Sequence, residues 1–283
     1  MFAASKSGQV TGSTPPPPTS NDPQFPYVTA LITGDGTNGA QNNTFIDSSP
    51  NNLAVTRFGN TTQGSYSPYN GNFSSYFDGA SSYLSVPNNA AFTFGTGSFT
   101  VECWYYATAT TGSVVNYSNG ASANSNFSWE IYQSSATGIQ ISVFEGSTQY
   151  VASSTGFSTN AWNHVAAVRN GNTLTIYVNG SAGATTANVT GVSANNPAGS
   201  LVYIGAEANG GARITGYVSN LRIVKGTAVY TANFTPSTTP LVATTSTSLL
   251  TCQNGNFVDN SINNFTVTKY GVTQTQAFGP FEP

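Results

Sequence analysis

The side chains able to do chemistry are few. The 283 residues carry ten acidic groups, seven basic ones, one histidine and two cysteines. Acid–base hydrolysis of a glycosidic bond needs two carboxylates flanking the bond. Glu102, Glu130, Glu145 and Glu207 each lack an acidic neighbour two positions away, so no strand face presents a carboxylate pair. A nucleophilic triad needs its histidine in a cleft beside a nucleophile and an orienting acid. The lone His164 follows Trp162 in a strand-like run, where a packed histidine is the expectation. One histidine and two distant cysteines are too few soft ligands for zinc, and no glycine loop has phosphate-binding spacing. The expectation is a protein that is not an enzyme and has no catalytic residues.

Calcium is the metal the oxygens suit best, since it takes several carboxylate and carbonyl ligands. Asp47, Asp78 and Asp259 are the candidates, but each also sits where an aspartate caps a turn, so no metal site is assigned. Cys103 and Cys252 are read either as buried free thiols or as a bridge tying the C-terminal segment to a central strand, if geometry allows. Sugars stack on aromatics and bond to Asn, Asp and backbone amides. The chain is rich in all of these, yet tyrosine and phenylalanine at strand spacing belong mostly to a core, and no platform residue stands out.

The elements that must position these groups are strands. Aromatics reach 12%, and charged residues only 6%. β-Branched and aromatic residues with many Gly and Asn favour short strands and tight turns, and no run has helical spacing. Phe99, Val101, Cys103 and Tyr105 alternate with Thr100, Glu102, Trp104 and Tyr106. Ile139, Ile141 and Val143 alternate likewise with Gln140, Ser142 and Phe144. The clearest hairpin is WNHVAAVRNGNTLTIYVNG (162–180), turning at Asn170-Gly171-Asn172. The net charge of −3 without a basic run excludes a nucleic-acid groove. No apolar stretch is long enough to span a bilayer. The opening MFAASKSGQVTGSTPPPP has no secretory h-region.

Residues 1–26 contain Pro15, Pro16, Pro17, Pro18, Pro23 and Pro26, and read as an extended Pro-rich arm, partly polyproline II, that anchors the protein or stays a flexible tail. An internal echo joins the two ends. NNTFIDSSPNNLAVTRFG (42–59) is matched by NGNFVDNSINNFTVTKYG (254–271), and both copies read as strand, Asp-containing turn, strand. Two copies so far apart are no solenoid; they are expected to be similar hairpins flanking one sandwich.

Across 73–235 the chain resembles the laminin G-like, concanavalin A-like jelly rolls. The pieces are Phe77-Asp78-Gly79, Tyr83-Leu84-Ser85-Val86-Pro87, FTVECWYY (99–106), WNHVAAVRNG (162–171), LTIYVNG (174–180), LVYIG (201–205) and GYVSNLRIVKG (216–226). The resemblance implies an all-β jelly-roll sandwich over 27–283, with 73–235 as its core and 27–72 and 236–283 packed on it. In its LRI strand Leu221 and Ile223 face one way and Arg222 the other, so Arg222 should meet Glu102 or Glu130. Lys225 lies at the strand end, where its stem reaches water. GTAVYTANFTP should wrap an edge, with Tyr230 and Phe234 as plugs.

GTAVYTANFTPSTTPL (226–241) and SLLTCQNGNFVDNSINNFTVT (248–268) further resemble bacteriophage structural proteins, among them tail and capsid fibres of cyanophages. That resemblance implies a capsid fibre, decoration or tail-fibre component on the virion surface, with a lectin-like head. Its implied partners are other virion proteins through the arm, further copies of itself (a trimer is common in fibres) and host surface polysaccharide. Neither nucleic acid nor membrane is a partner. The alternative is a cellular lectin or adhesin module, which shares the fold.

Overall fold

Strong alternation of core and surface residues gives strands on nearly every stretch rich in Val, Ile, Phe and Tyr. In a computed structural model, residues 24–32, 47–56, 58, 73–120 and 123–281 are described. The chain divides into two compact units, 1–67 and 68–283. Most of the Pro-rich arm, together with Phe45, Ile46 and Arg57 of the echo, lies outside the described residues.

The larger unit is an all-β jelly-roll sandwich of two antiparallel sheets, as expected. One sheet runs Ser181–Ala182, Thr173–Val178, Trp162–Asn170, Phe99–Ala107, Thr215–Lys225, Ser74–Asp78, Gln274–Gln276. Thr247–Thr251 pairs with the free half of Thr215–Lys225, at Leu221 to Val224. The other sheet runs Thr268–Tyr270, Tyr83–Val86, Leu201–Ile204, Gly112–Ser118, Phe127–Gln133, Ile139–Glu145, Thr148–Ser154.

The inner faces interdigitate into one core that includes Phe77, Phe99, Val101, Tyr105, Trp129, Ile131, Ile141 and Ile223. Each such side chain contributes about 1.5–3 kcal/mol by leaving water. Two of its large aromatics satisfy their polar tips inside it. Trp129 Nε1 donates to Phe92 O at 3.1 Å, and Tyr105 donates to Gln133 Oε1 at 2.7 Å. Arg169 points into this core but is also satisfied, because its guanidinium donates to three carbonyls, of Gly171, Gly95 and Val189.

The hairpin at 162–180 forms as read, with Gly171 at φ +57°. The second copy of the echo departs from a simple hairpin. Thr247–Thr251 and Gln274–Gln276 join one sheet while Thr268–Tyr270 joins the other. The segment therefore crosses the edge of the sandwich as a strap, and the turn capped by Asp259 carries it between the sheets.

Candidate functional site

The strand Phe99–Ala107 sends Cys103 and Tyr105 into the core, and Thr100, Glu102, Trp104 and Tyr106 to the outer face of its sheet. Register aligns Glu102 with Arg222 on one neighbour, and Trp104 with His164 on the other. Glu102 is fully buried and collects four donors or partners. Arg222 donates to Oε1 from Nε at 2.8 Å and Nη2 at 2.6 Å. The Tyr230 hydroxyl donates to Oε2 at 2.7 Å, and His164 Nε2 lies 3.1 Å from the same oxygen. Burial raises the Glu102 carboxyl, but the His164 hydrogen bond and the Arg222 charge outweigh it and hold the carboxyl below its ordinary value. Of the two partners expected for Arg222, Glu102 is the one found. Glu130 lies in the opposite sheet.

This cluster is structural, because the segment after Lys225 is laid over it. Tyr230 and Phe234 stack with ring centroids 3.6 Å apart and pack on Ala166, Val168 and Tyr177. The plugs cover a face rather than an edge, since the buried charges beneath need their last donor from above. Phe234 N bonds Gly180 O at 2.9 Å. A Cβ on Gly180 would lie 1.8 Å from Phe234 O, so only glycine permits this approach. Lys225 is exposed, and its Nζ donates to Ala90 O.

Beside the strap the outer face opens into a cavity of about 520 Å³. Trp104, Phe281, Pro236 and Pro280 give it apolar surface, while Asn179 and Ser237 give it hydrogen-bonding groups. Among the described residues no charged side chain lines it. Among the described residues the indole Nε1 of Trp104 is buried with no hydrogen-bond partner, and a buried donor left unpaired is costly. Aromatic and prolyl walls with amide and hydroxyl groups suit a neutral polyol ring, whose C–H faces stack on rings while its hydroxyls bond to the rim.

The opposite outer face carries a row that sequence reading missed as a unit. Cross-strand pairing aligns Tyr203, Asn116, Glu130 and Ser142. Glu130 is buried, and its Oε1 has no hydrogen-bond partner among the described residues. Burial pushes its carboxyl up to about 7, the Ser113 hydroxyl opposes this, and the Glu207 charge adds to it. The signal was present in the alternation of Ser128, Glu130 and Tyr132 with core Trp129 and Ile131. The proximity of Glu207 was not, because it comes from a distant loop.

The three aspartates considered for calcium all cap turns. Asp47 accepts backbone N–H bonds from Leu31, Ser49 and Leu53, Asp78 from Ala80, Ser81 and Ser82, and Asp259 from Leu250, Ser261 and Phe265. Those donors hold the Asp47 carboxyl well below the carboxylate range, and for Asp78 they overcome the opposing effect of burial. Among the described residues no cluster of three or more His, Cys, Asp or Glu is placed to hold a metal. Cys103 and Cys252 are buried free thiols. Burial pushes both up, Cys252 to about 11. No helix among the described residues is long and apolar enough to cross a membrane.

The chain is similar in fold to a heptameric SAP-like pentraxin from Limulus polyphemus, at 16% identity and a TM-score of 0.51, covering 74% of this chain and 96% of that one. It is also similar to a protein from Bacteroides ovatus named for carbohydrate binding, at 17% identity and a TM-score of 0.50, covering 83% of this chain and 68% of that one. No curated protein sequence matches it. The model of the concanavalin A-like lectin/glucanase superfamily, in its laminin G form, matches residues 78–231, more than half of the sequence. With that match and the two-sheet jelly roll, the chain belongs to the concanavalin A-like lectin/glucanase superfamily.

Proposed function

We propose that the sandwich is a non-catalytic carbohydrate-binding head, carried by a bacteriophage virion structural protein of the capsid fibre, decoration or tail-fibre kind. The cavity against Trp104, lined among the described residues by aromatic, prolyl, amide and hydroxyl groups, is the observation that carries the reading. Its volume accommodates one or two sugar rings, and its lining offers stacking surface, an amide and a hydroxyl. The superfamily and the naming of the Bacteroides ovatus protein support a sugar as the ligand class. The sequence resemblance of residues 226–268 to phage structural proteins supports the virion setting. Other virion proteins would hold the N-terminal segment, and host surface polysaccharide would be the outward partner.

The ligand class is tested by titrating neutral and acidic polysaccharides into the full chain by calorimetry. Neutral glycans should bind, and Trp104→Ala should weaken them at least about tenfold, the loss of about 1.4 kcal/mol. Binding unaffected by Trp104→Ala and by Ser237→Ala would sink the cavity as the site. Release of reducing ends during the same incubations would overturn the non-catalytic reading, with Glu130 and Glu207, whose charge reaches it, as the carboxylates to suspect. A cellular adhesin module would carry the same cavity. Mass spectrometry of purified particles tells the two apart, since a virion component appears there in many copies.

A further inference from the structure

The strand that carries Trp104 also carries Tyr106, two residues on and on the same outer face. Residues opposed in register share a face, and register sets a row of rings beside Trp104. Trp162 pairs with Tyr106, Tyr106 with Tyr217, Tyr217 with Tyr76, and Tyr76 with Gln274. The four rings come from four adjacent strands of one sheet, Trp162–Asn170, Phe99–Ala107, Thr215–Lys225 and Ser74–Asp78. Their centroids follow one another at 5.6, 5.9 and 5.1 Å. Each ring is half-buried and keeps part of its surface toward solvent.

Phe278 joins this row to the cavity. Its ring lies 5.2 Å from Tyr106, 4.9 Å from Tyr217 and 5.3 Å from Trp162, and it too is half-buried. Two residues on, Pro280 and then Phe281 line the cavity at Trp104. Aromatic surface therefore runs without a break from the cavity to Tyr76. No residue of the row carries a charge, and Gln274 ends it with an exposed amide. Core packing accounts for rings on the inner face of a sheet. A continuous stretch of rings showing on the outer face marks a binding surface.

We infer that this row extends the glycan site, so that it grips the interior of an extended, neutral β-1,4-linked polysaccharide. The inference rests on the reading of the Trp104 cavity as a sugar site. A strand spacing of about 4.8 Å puts the two ends of the row roughly 14 Å apart. A β-1,4-linked hexose chain is a flat ribbon whose rings repeat at a spacing close to that between strands. Successive sugar faces then meet successive side-chain rings through their C–H groups. The hydroxyls along the ribbon's edges meet the tyrosine hydroxyls and the Gln274 amide. A coiled α-linked chain leaves a straight row after one or two rings.

The test is calorimetry of the full chain with cello-oligosaccharides of two to six rings, beside malto-oligosaccharides of the same lengths. Affinity should rise at least about tenfold from the shortest cello-oligosaccharide to the longest, and stay level in the malto series. Tyr76 does not line the cavity, and Tyr76→Ala should remove most of that gain. Gln274→Ala, at an exposed position, should remove part of it without lowering the melting temperature, which keeps the test decisive if Tyr76→Ala disturbs the sheet. A cello series of constant affinity, or a gain that survives both variants, overturns the row and leaves the cavity standing. A gain lost in Tyr76→Ala but untouched by Trp104→Ala keeps the row and overturns the cavity. Equal gains in the two series overturn the extended-chain ligand, and binding to neither overturns the row and the cavity together.

Discussion

Arg222→Met tests the account of the buried charges directly. Glu102 is 0% exposed, and Arg222 supplies two of its four partners. The substitution keeps most of the side-chain volume but leaves a buried carboxylate with only His164 and Tyr230. Breaking one partner out of a buried ion pair costs about 3–5 kcal/mol, chiefly through the charge left behind. For a unit of this size, about 2–4 °C per kcal/mol gives a melting temperature lower by roughly 6–20 °C. Urea unfolding at neutral pH measures the loss. The double variant Glu102→Gln with Arg222→Met removes the charge as well, and should recover most of it. The pH dependence has a defined sign. The Glu102 carboxyl is held below its unfolded value, so its contribution is complete above about pH 4.3 and disappears as pH falls through the folded value. The gap between wild type and Arg222→Met should narrow over that acidic window. A loss under about 1 kcal/mol, the range of exposed ion pairs, would refute the reasoning, as would a double variant no better than the single one.

Other outcomes follow from the same geometry. The Glu130 carboxyl is raised to about 7 by burial, so its ionisation destabilises the fold as pH rises from about 4.3 through that value. Glu130→Gln should flatten the pH–stability curve between those limits and stabilise the protein above them by up to roughly 4 kcal/mol, as about 1.4 kcal/mol per pKa unit gives; thermal melts across pH measure this. Gly180→Ala puts a methyl group on the Phe234 carbonyl at a φ of +80°. It should cost more than about 1 kcal/mol, and proteolysis of the segment after Lys225 should show where it lifts. Cys103 and Cys252, buried thiols raised by their surroundings, should resist a thiol reagent until the protein unfolds. Their melting temperature should not respond to reductant.

Much of this was legible because it depends on near neighbours in sequence. The alternation in FTVECWYY separates core Cys103 and Tyr105 from outward Glu102 and Trp104, and the Asn–Gly pairs set both ends of the Thr173–Val178 hairpin arm. What was hidden depends on distant residues. The ladder between Thr215–Lys225 and Phe99–Ala107 slips between Ser219 and Arg222, and Asn220 takes φ +53° there. That slip lets Val218 and Leu221, three apart, both face the core, which a period of two does not foresee. The cavity draws Trp104, Asn179, Ser237 and Phe281 from four separate stretches, so no motif spells it.

The scarcity of charge and the segment after Lys225 are two sides of one arrangement. Glu102 and Arg222 are among only seventeen acidic and basic residues, and both are sealed beneath Tyr230 and Phe234. A buried pair is seldom more stable than apolar residues of the same volume, but it is intolerant of misplacement. Tyr230 supplies one of its donors from the segment above, so the segment has one favourable register on the sheet. That register fixes Pro236 and Ser237 beside Trp104 and thereby shapes the cavity. Losing the Tyr230 hydroxyl alone, in Tyr230→Phe, should therefore weaken glycan binding although Tyr230 does not line the cavity. The same affinity in Tyr230→Phe and wild type, measured by calorimetry with a neutral glycan, would disconnect the buried charges from the site.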